Sequence, residues 1–350
     1  MIKLNLPPLL LRSSAGYPSQ QRIRTISILS HRHSPSRSAL PKPFLQGPTH
    51  NHNHQRPPVL AWYTTTTPTK NSPPPPPPDM AAEPTGLIAK SGIELLTTGT
   101  PNGVKASILL EELKDAYGLE YTYQAIDISK NTQKQAWFTA VNPNGRIPAI
   151  VDHDRSGFAV FEGAAILSYL ARHYDPRHLL SFPPGSDDHS VAEQWIAWQH
   201  GGLGPMQGQA NHFLFVAKEN PWGVQRYVGE TERLYGVLDK RLSDRDYVAG
   251  PERGRYSIAD IALVGWVNAG RLSGLDTKQF PSVYAWLDRC LARPATKRGL
   301  EIPSGPSKYG IEALAKLEAE GDQEFLAKDK EKREKIAAAK AQYNYKYASP

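Results

Sequence analysis

The sequence predicts a small α/β domain followed by an all-helical domain, with a low-complexity leader ahead of both. Three observations predict it. Residues 93–174 alternate short strand-like and helix-like apolar patterns and close on two adjacent strands. Residues 191–300 keep helical periodicity. Residues 1–79 carry too little patterned apolar surface to offset the entropy of ordering them.

The leader holds His-Asn-His-Asn-His at 50–54, four threonines at 64–67 and six prolines at 73–78. It has nine Lys or Arg against one acid, Asp79, whereas the rest of the chain has 32 basic against 33 acidic residues. The formal charge of +7 therefore belongs to the leader, and nothing in the rest suggests a basic face for nucleic acid. Arg12, Arg22, Arg24, Arg32 and Arg37 among serines resemble a mitochondrial transit peptide. The alternative is a start at Met80, where the composition becomes ordinary, with a cytoplasmic product. No apolar run reaches the roughly 18 residues a membrane helix needs, so no membrane partner is expected.

The elements follow in order. Ile93–Thr97 reads as a strand, Thr100–Gly103 as a turn, and Val104, Ile108, Leu109 and Leu113 as one face of a helix running to about Tyr117. Residues 121–127 alternate like a strand, and a polar helix is expected near 132–140. Two strands, 147–151 and 158–161, precede a helix from Glu162 to about Tyr174. Residues 175–189 read as a linker. In the helical part Ser257 and Asp260 form a capping box ahead of a buried helix. The domain boundaries expected are 1–90 for the leader, 91–176, 186–303, and 304–350 for a charged tail read as a solvated helix.

The chain has one cysteine, Cys290, in a helical apolar context, so it reads as a small buried hydrophobe. That excludes a Cys-x-x-Cys redox pair and a cysteine zinc cluster, and no metal is expected.

Four features of the first domain bear on chemistry. Thr100-Pro101-Asn102-Gly103 joins a strand to a helix, and helix N-termini hold anions through free amides. In Asn142-Pro143-Asn144-Gly145-Arg146-Ile147-Pro148, a cis bond before Pro148 would present the Ile147 backbone to a ligand. Glu162-Gly163 starts a helix, where an acid could complement the dipole or grip an ammonium group. Gln133 is a polar side chain near the start of the expected polar helix.

In this order the motifs resemble the glutathione S-transferase family, and within it most the bacterial nu class and the related fungal nitrogen-regulator branch. The second domain agrees, with Trp198-Gln199-His200-Gly201-Gly202-Leu203-Gly204-Pro205-Met206, Arg226-Tyr227, and Tyr256-Ser257-Ile258-Ala259-Asp260. The resemblance covers about residues 92–300. It implies an N-terminal thioredoxin-like domain, an all-helical C-terminal domain, and glutathione as co-substrate.

The resemblance implies roles for particular residues. Thr100 and Asn102 would sit at the sulfur as the catalytic pair. Ile147, with Pro148 cis, would pair with the cysteinyl backbone, and Arg146 would lie beside it. Glu162 would bind the γ-glutamyl ammonium, Gly163 would lie at its carboxylate, and Gln133 would face the glycyl end. Arg226 would approach from the helical domain. Gly163 stands where the family usually has Ser, which removes a hydroxyl contact worth about 1 kcal/mol. The nu class also binds two glutathiones and favours disulfide exchange. The function so implied is conjugation to a small electrophile or reduction of a disulfide by bound glutathione thiolate, in a homodimer. A non-catalytic glutathione-binding regulator or scaffold on the same fold is the alternative.

Overall fold

The computed structural model of the chain describes residues 86–345. The disorder expected of the leader and the two readings of its origin concern residues almost wholly outside that range. Every described residue belongs to one unit.

Strand β1 (Ile93–Thr97) is buried along its whole length. It pairs in parallel with β2 (Tyr121–Ala125), Ile93 opposite Tyr121. It pairs antiparallel with β3 (Ala149–Asp152), Leu96 opposite Ala149, and β3 pairs antiparallel with β4 (Phe158–Phe161). The sheet order is β2-β1-β3-β4. Helix α1 (Gly103–Tyr117) makes the crossover from β1 to β2. The period of two along β1 divides its side chains between two cores. Ile93 and Leu95 join the main core with α1 and α3 (Gly163–Tyr174), while Leu96 meets Phe138 of α2 (Ala136–Val141) on the other face.

The polar helix expected at 132–140 is shorter than the sequence suggests. Two 3₁₀ turns, Ile128–Lys130 and Thr132–Lys134, precede α2. Asn131 between them is left-handed and Gln135 is extended, so a continuous helix cannot start before Ala136. The strand expected at 147–151 begins at Ala149, after Pro148, which has no amide to donate. The expected linker ends at Ser186, whose hydroxyl caps α4 (Asp187–Trp198) by accepting from the His189 amide at 3.2 Å.

A π-helical turn, Gln199–Leu203, interrupts the next helical run before α5 (Gly204–Phe215) and α6 (Pro221–Leu242). Helix α7 (Ile258–Asn268) is buried at every position. Its capping box forms as expected: Asp260 accepts from the Ser257 amide at 3.0 Å, and Ser257 Oγ accepts from the Ala259 amide at 3.3 Å. Helices α8 (Pro281–Leu291) and α9 (Pro294–Glu301) complete the bundle. The main core is continuous from β1 through α7 to α8, so the sheet and the bundle share one apolar interior.

The charged tail is helical, as α10 (Ile311–Ala319) and α11 (Gln323–Gln342), but one face is not solvated. Ile336 and Ala339 are buried against Ala210, Leu214, Val224 and Val228. Lys340 pairs with Glu232, and Tyr345 donates to the Gly229 carbonyl at 2.8 Å. Among the described residues no helix is long and apolar enough to cross a membrane, and no group of His, Cys, Asp and Glu is placed to hold a metal ion.

Candidate functional site

The site begins where β1 ends. Thr100 Oγ1 accepts from the Gly103 amide at 3.2 Å and its carbonyl accepts from the Val104 amide, so Thr100 caps the entry to α1. Its hydroxyl proton stays available to a ligand. Asn102, exposed at the mouth of the turn, makes no such cap. Its Oδ1 instead accepts from Lys105 Nζ and from Trp266 Nε1, both at 3.1 Å. Trp266 reaches this point because α7 packs against the turn: a Cβ on Gly265 would meet Val104 Cγ2 at 2.6 Å and the Pro101 carbonyl at 2.7 Å.

Lys105, in the first turn of α1, is only 2 % exposed. Its ammonium donates to Asn102 Oδ1 and, at 2.6 Å, to Oε1 of Gln199 in the π-helical turn. Burial pulls its pKa down to about 7, and the Glu162 carboxylate partly counters that. A π-helical turn is rare and costs regular hydrogen bonding, and it often marks a functional site. Here it presents both Gln199 and His200 to one cleft.

The cleft lies between the sheet domain and the bundle and has a volume of about 700 Å³. Asn102, Lys105 and Arg146 line it from one side, and Gln199, His200, His212 and Trp266 from the other. Beside it Glu162 starts α3. Its φ of +69° is a conformation that few non-glycine residues adopt, and such strain gathers at functional sites. Glu162 accepts from Asn144 Nδ2 at 3.3 Å and pairs with His200 Nε2 at 3.3 Å. Among the described residues no side chain caps the first turn of α3. The Ile147–Pro148 bond is cis.

The expected residues are thus not all gathered. Asn102 and Arg146 line the cleft and Glu162 pairs with its His200, while Thr100, Ile147, Pro148 and Gly163 are their near neighbours in chain and do not line it. Gly163 faces the Lys105 stem, which lies 3.4 Å from where its Cβ would be. Gln133 is 9 % exposed, with its amide nitrogen turned to the Ile128 carbonyl at 3.5 Å and its Oε1 buried without a partner. Arg226 lies on α6 outside the cleft lining, half exposed, with Glu230 at 3.9 Å. Cys290 is fully buried in α8, and burial pushes its thiol well above the usual range.

Sequence reading missed Lys105, Gln199, His200 and Trp266. A lysine three residues after Asn102 falls on the same side of a helix, which is a usable signal, but an isolated lysine usually reads as solvated. The Gly-Gly-x-Gly-Pro run after His200 is a second signal, since it breaks a helical pattern.

Known proteins resemble the chain over both domains. The family profile "Glutathione S-transferase, N-terminal domain" matches residues 93–172, and "Glutathione S-transferase, C-terminal domain" matches residues 209–294. The chain is 39% identical over 213 residues to the disulfide-bond oxidoreductase YfcG of Escherichia coli, covering 59% of this chain and 94% of that protein. It is similar to the crystal structure of a glutathione transferase homologue from Lodderomyces elongisporus with two glutathiones per subunit. That match has a TM-score of 0.56 and 43% identity, and it covers 61% of this chain and 99% of that one. It is also similar to Ure2p in complex with glutathione, with a TM-score of 0.55 and 31% identity over 61% of this chain and 96% of that one.

Proposed function

The chain belongs to the glutathione S-transferase family, and from that premise we propose that it is an enzyme using the thiolate of bound glutathione, with disulfides as the favoured substrate class. The observation that carries this reading is the Asn102 amide. Its Oδ1 is occupied by two donors, which leaves Nδ2 as its open donor at the cleft. Nδ2 has no hydrogen bond among the described residues.

A free thiol has a pKa of roughly 8.5, so little of it is thiolate at neutral pH. Lowering it by about two units takes about 2.7 kcal/mol, within reach of a few charge-assisted hydrogen bonds. Asn102 Nδ2, the Thr100 hydroxyl and the start of α1 would supply them. Glu162 would hold the γ-glutamyl ammonium, displacing His200, while the uncapped amides at Gly163 would take the neighbouring carboxylate. The Ile147 backbone would align the cysteinyl residue, with Arg146 beside it. Gln133, as it is turned, would need to swing outward to reach the glycyl end. No role is assigned to Arg226.

The chain's one cysteine is buried, so the reacting sulfur would be the ligand's. Glutathione thiolate attacks one sulfur of a disulfide. The S–S bond breaks, the other sulfur leaves as thiolate and takes up a proton, and a mixed disulfide remains. A second glutathione thiolate resolves it, giving oxidised glutathione and the second thiol. YfcG is a disulfide-bond oxidoreductase by name, and the Lodderomyces homologue holds two glutathiones per subunit, which supports this reading over conjugation.

The test is retention on immobilised glutathione followed by turnover with a small disulfide and with an aryl halide. Disulfide reduction faster than conjugation is expected. Binding without turnover of either substrate would move the protein to the regulatory reading. We also propose a homodimer, supported by exposed Phe158 and Phe161 on the edge strand β4. Sedimentation at micromolar concentration should give twice the chain mass, and a monomer would end that proposal.

A further inference from the structure

Asn102 Oδ1 is held by two side chains from different domains, Lys105 on α1 and Trp266 on α7. An indole N–H can only donate, and an ammonium can only donate. The end of the amide facing them must therefore be the oxygen. Lys105 is itself fixed, because its second bond goes to Gln199 at 2.6 Å. The Trp266 ring lies against Gly204 and Gly208 of α5, where an added Cβ would meet it at 3.1 and 3.5 Å.

We propose that Lys105 and Trp266 are positioning residues for the Asn102 amide: they hold Oδ1 and so turn Nδ2 toward the sulfur of bound glutathione. This rests on the reading of Asn102 given above. It makes activation of the thiol a property of the docked pair of domains, because one of the two donors belongs to the bundle. Lys105 keeps at least two N–H bonds in either charge state, so the clamp holds on both sides of neutrality. The charged and titratable groups around Lys105 are Glu162 at the start of α3, Arg146 on its own side of the cleft, and His200 and His212 on the opposite wall. The one titratable residue of α7, Asp260, is turned to Ser257, Val248 and Trp286. Arg298 of α9 and Arg293 just before it are paired with Glu111, Asp115 and Glu112 farther along α1.

The experiment is a double-mutant cycle on the full chain. Its readout is the ultraviolet absorbance of the thiolate of bound glutathione, followed as a function of pH. Trp266→Phe removes the indole donor and keeps a ring, and Lys105→Met removes the amine and keeps the stem. Each is made alone and in Asn102→Ala. Each single change should raise the apparent pKa of the bound thiol by about one unit, the scale of one hydrogen bond to a charged group. In the Asn102→Ala background neither should raise it further. The proposal is overturned if the single variants bind glutathione with its thiol unshifted from that in the unaltered chain. It is equally overturned if their shifts recur undiminished without Asn102, because they would then act on the sulfur directly. An Asn102→Ala variant that itself leaves the thiol unshifted removes the reading of Asn102, and the positioning role with it. If Lys105→Met does not fold, Trp266→Phe decides the matter alone.

Discussion

Burying an ammonium costs more than its hydrogen bonds usually return, and Lys105 is buried to 2 % exposure. Its folded pKa of about 7 lies below the ordinary lysine value of about 10.4. Below pH 7 the folded and unfolded chains both carry the proton. Above it the unfolded chain keeps a proton that the folded chain has lost, so stability rises with pH. Lys105→Met removes that titration. The variant should be more stable than the unaltered chain at pH 6, and between pH 7 and pH 9 the difference should narrow by about 2–3 kcal/mol. Denaturant unfolding at the three pH values checks this, and a pH-independent difference would mean that the amine is protonated throughout. At the same scale, Asn102→Ala should cut glutathione-dependent disulfide reduction about ten-fold or more, the loss expected for one bond to a charged sulfur, and should lower the unfolding free energy by about 1–3 kcal/mol, because Lys105 and Trp266 lose their shared acceptor. Steady-state rates beside a thermal melt separate the two effects.

Among the elements, α1 and α9 carry the join between the domains. Arg293 grips Glu112 through two bonds, at 2.7 and 2.6 Å, and lies over the Tyr256 ring at 4.1 Å. The glutamate is nearly buried, so removing the arginine strands a charge. Arg293→Ala should cost about 2–3 kcal/mol, somewhat below the range for a fully buried pair because the guanidinium is partly exposed. Gly299 lets the helices touch there: a Cβ would fall 2.6 Å from the Ile108 amide nitrogen. Gly299→Ala should cost a further few kcal/mol by forcing the helices apart, about 1–3 for ordinary overpacking. Both are read by denaturant titration. Most of the elements themselves were legible in sequence. Strand β1, helix α1 and the Ser257–Asp260 box follow from periodicity and local capping, which depend on neighbours along the chain. The site was only half legible. Thr100, Asn102 and Glu162 sit on the turns that motifs record. Lys105, Gln199 and Trp266 act through partners 94 and 164 residues away, and no local pattern encodes such pairings. The docked face of α11 was hidden for a similar reason, since Ile336 is the one large apolar residue in the charged run from Lys328 to Gln342.

For the whole molecule, α11 closes the back of the bundle whose front wall is the cleft. Removing residues 322–350 should expose Ala210, Leu214, Val224 and Val228 and leave the Glu232 carboxylate buried without its lysine. A loss of about 3 kcal/mol follows from one buried isoleucine and one broken ion pair. Increased binding of an apolar dye, with glutathione affinity unchanged, would show that the loss is confined to the back. The front wall carries the central claim, which is that the reacting sulfur comes from glutathione activated at Asn102 and not from the protein. The most direct measurement is the rate of glutathione-dependent reduction of a small disulfide by the full chain, by Asn102→Ala and by Cys290→Ala. The account predicts that Cys290→Ala keeps the rate and Asn102→Ala loses about ten-fold or more. A folded Cys290→Ala variant without activity, beside an Asn102→Ala variant that keeps it, would contradict the account.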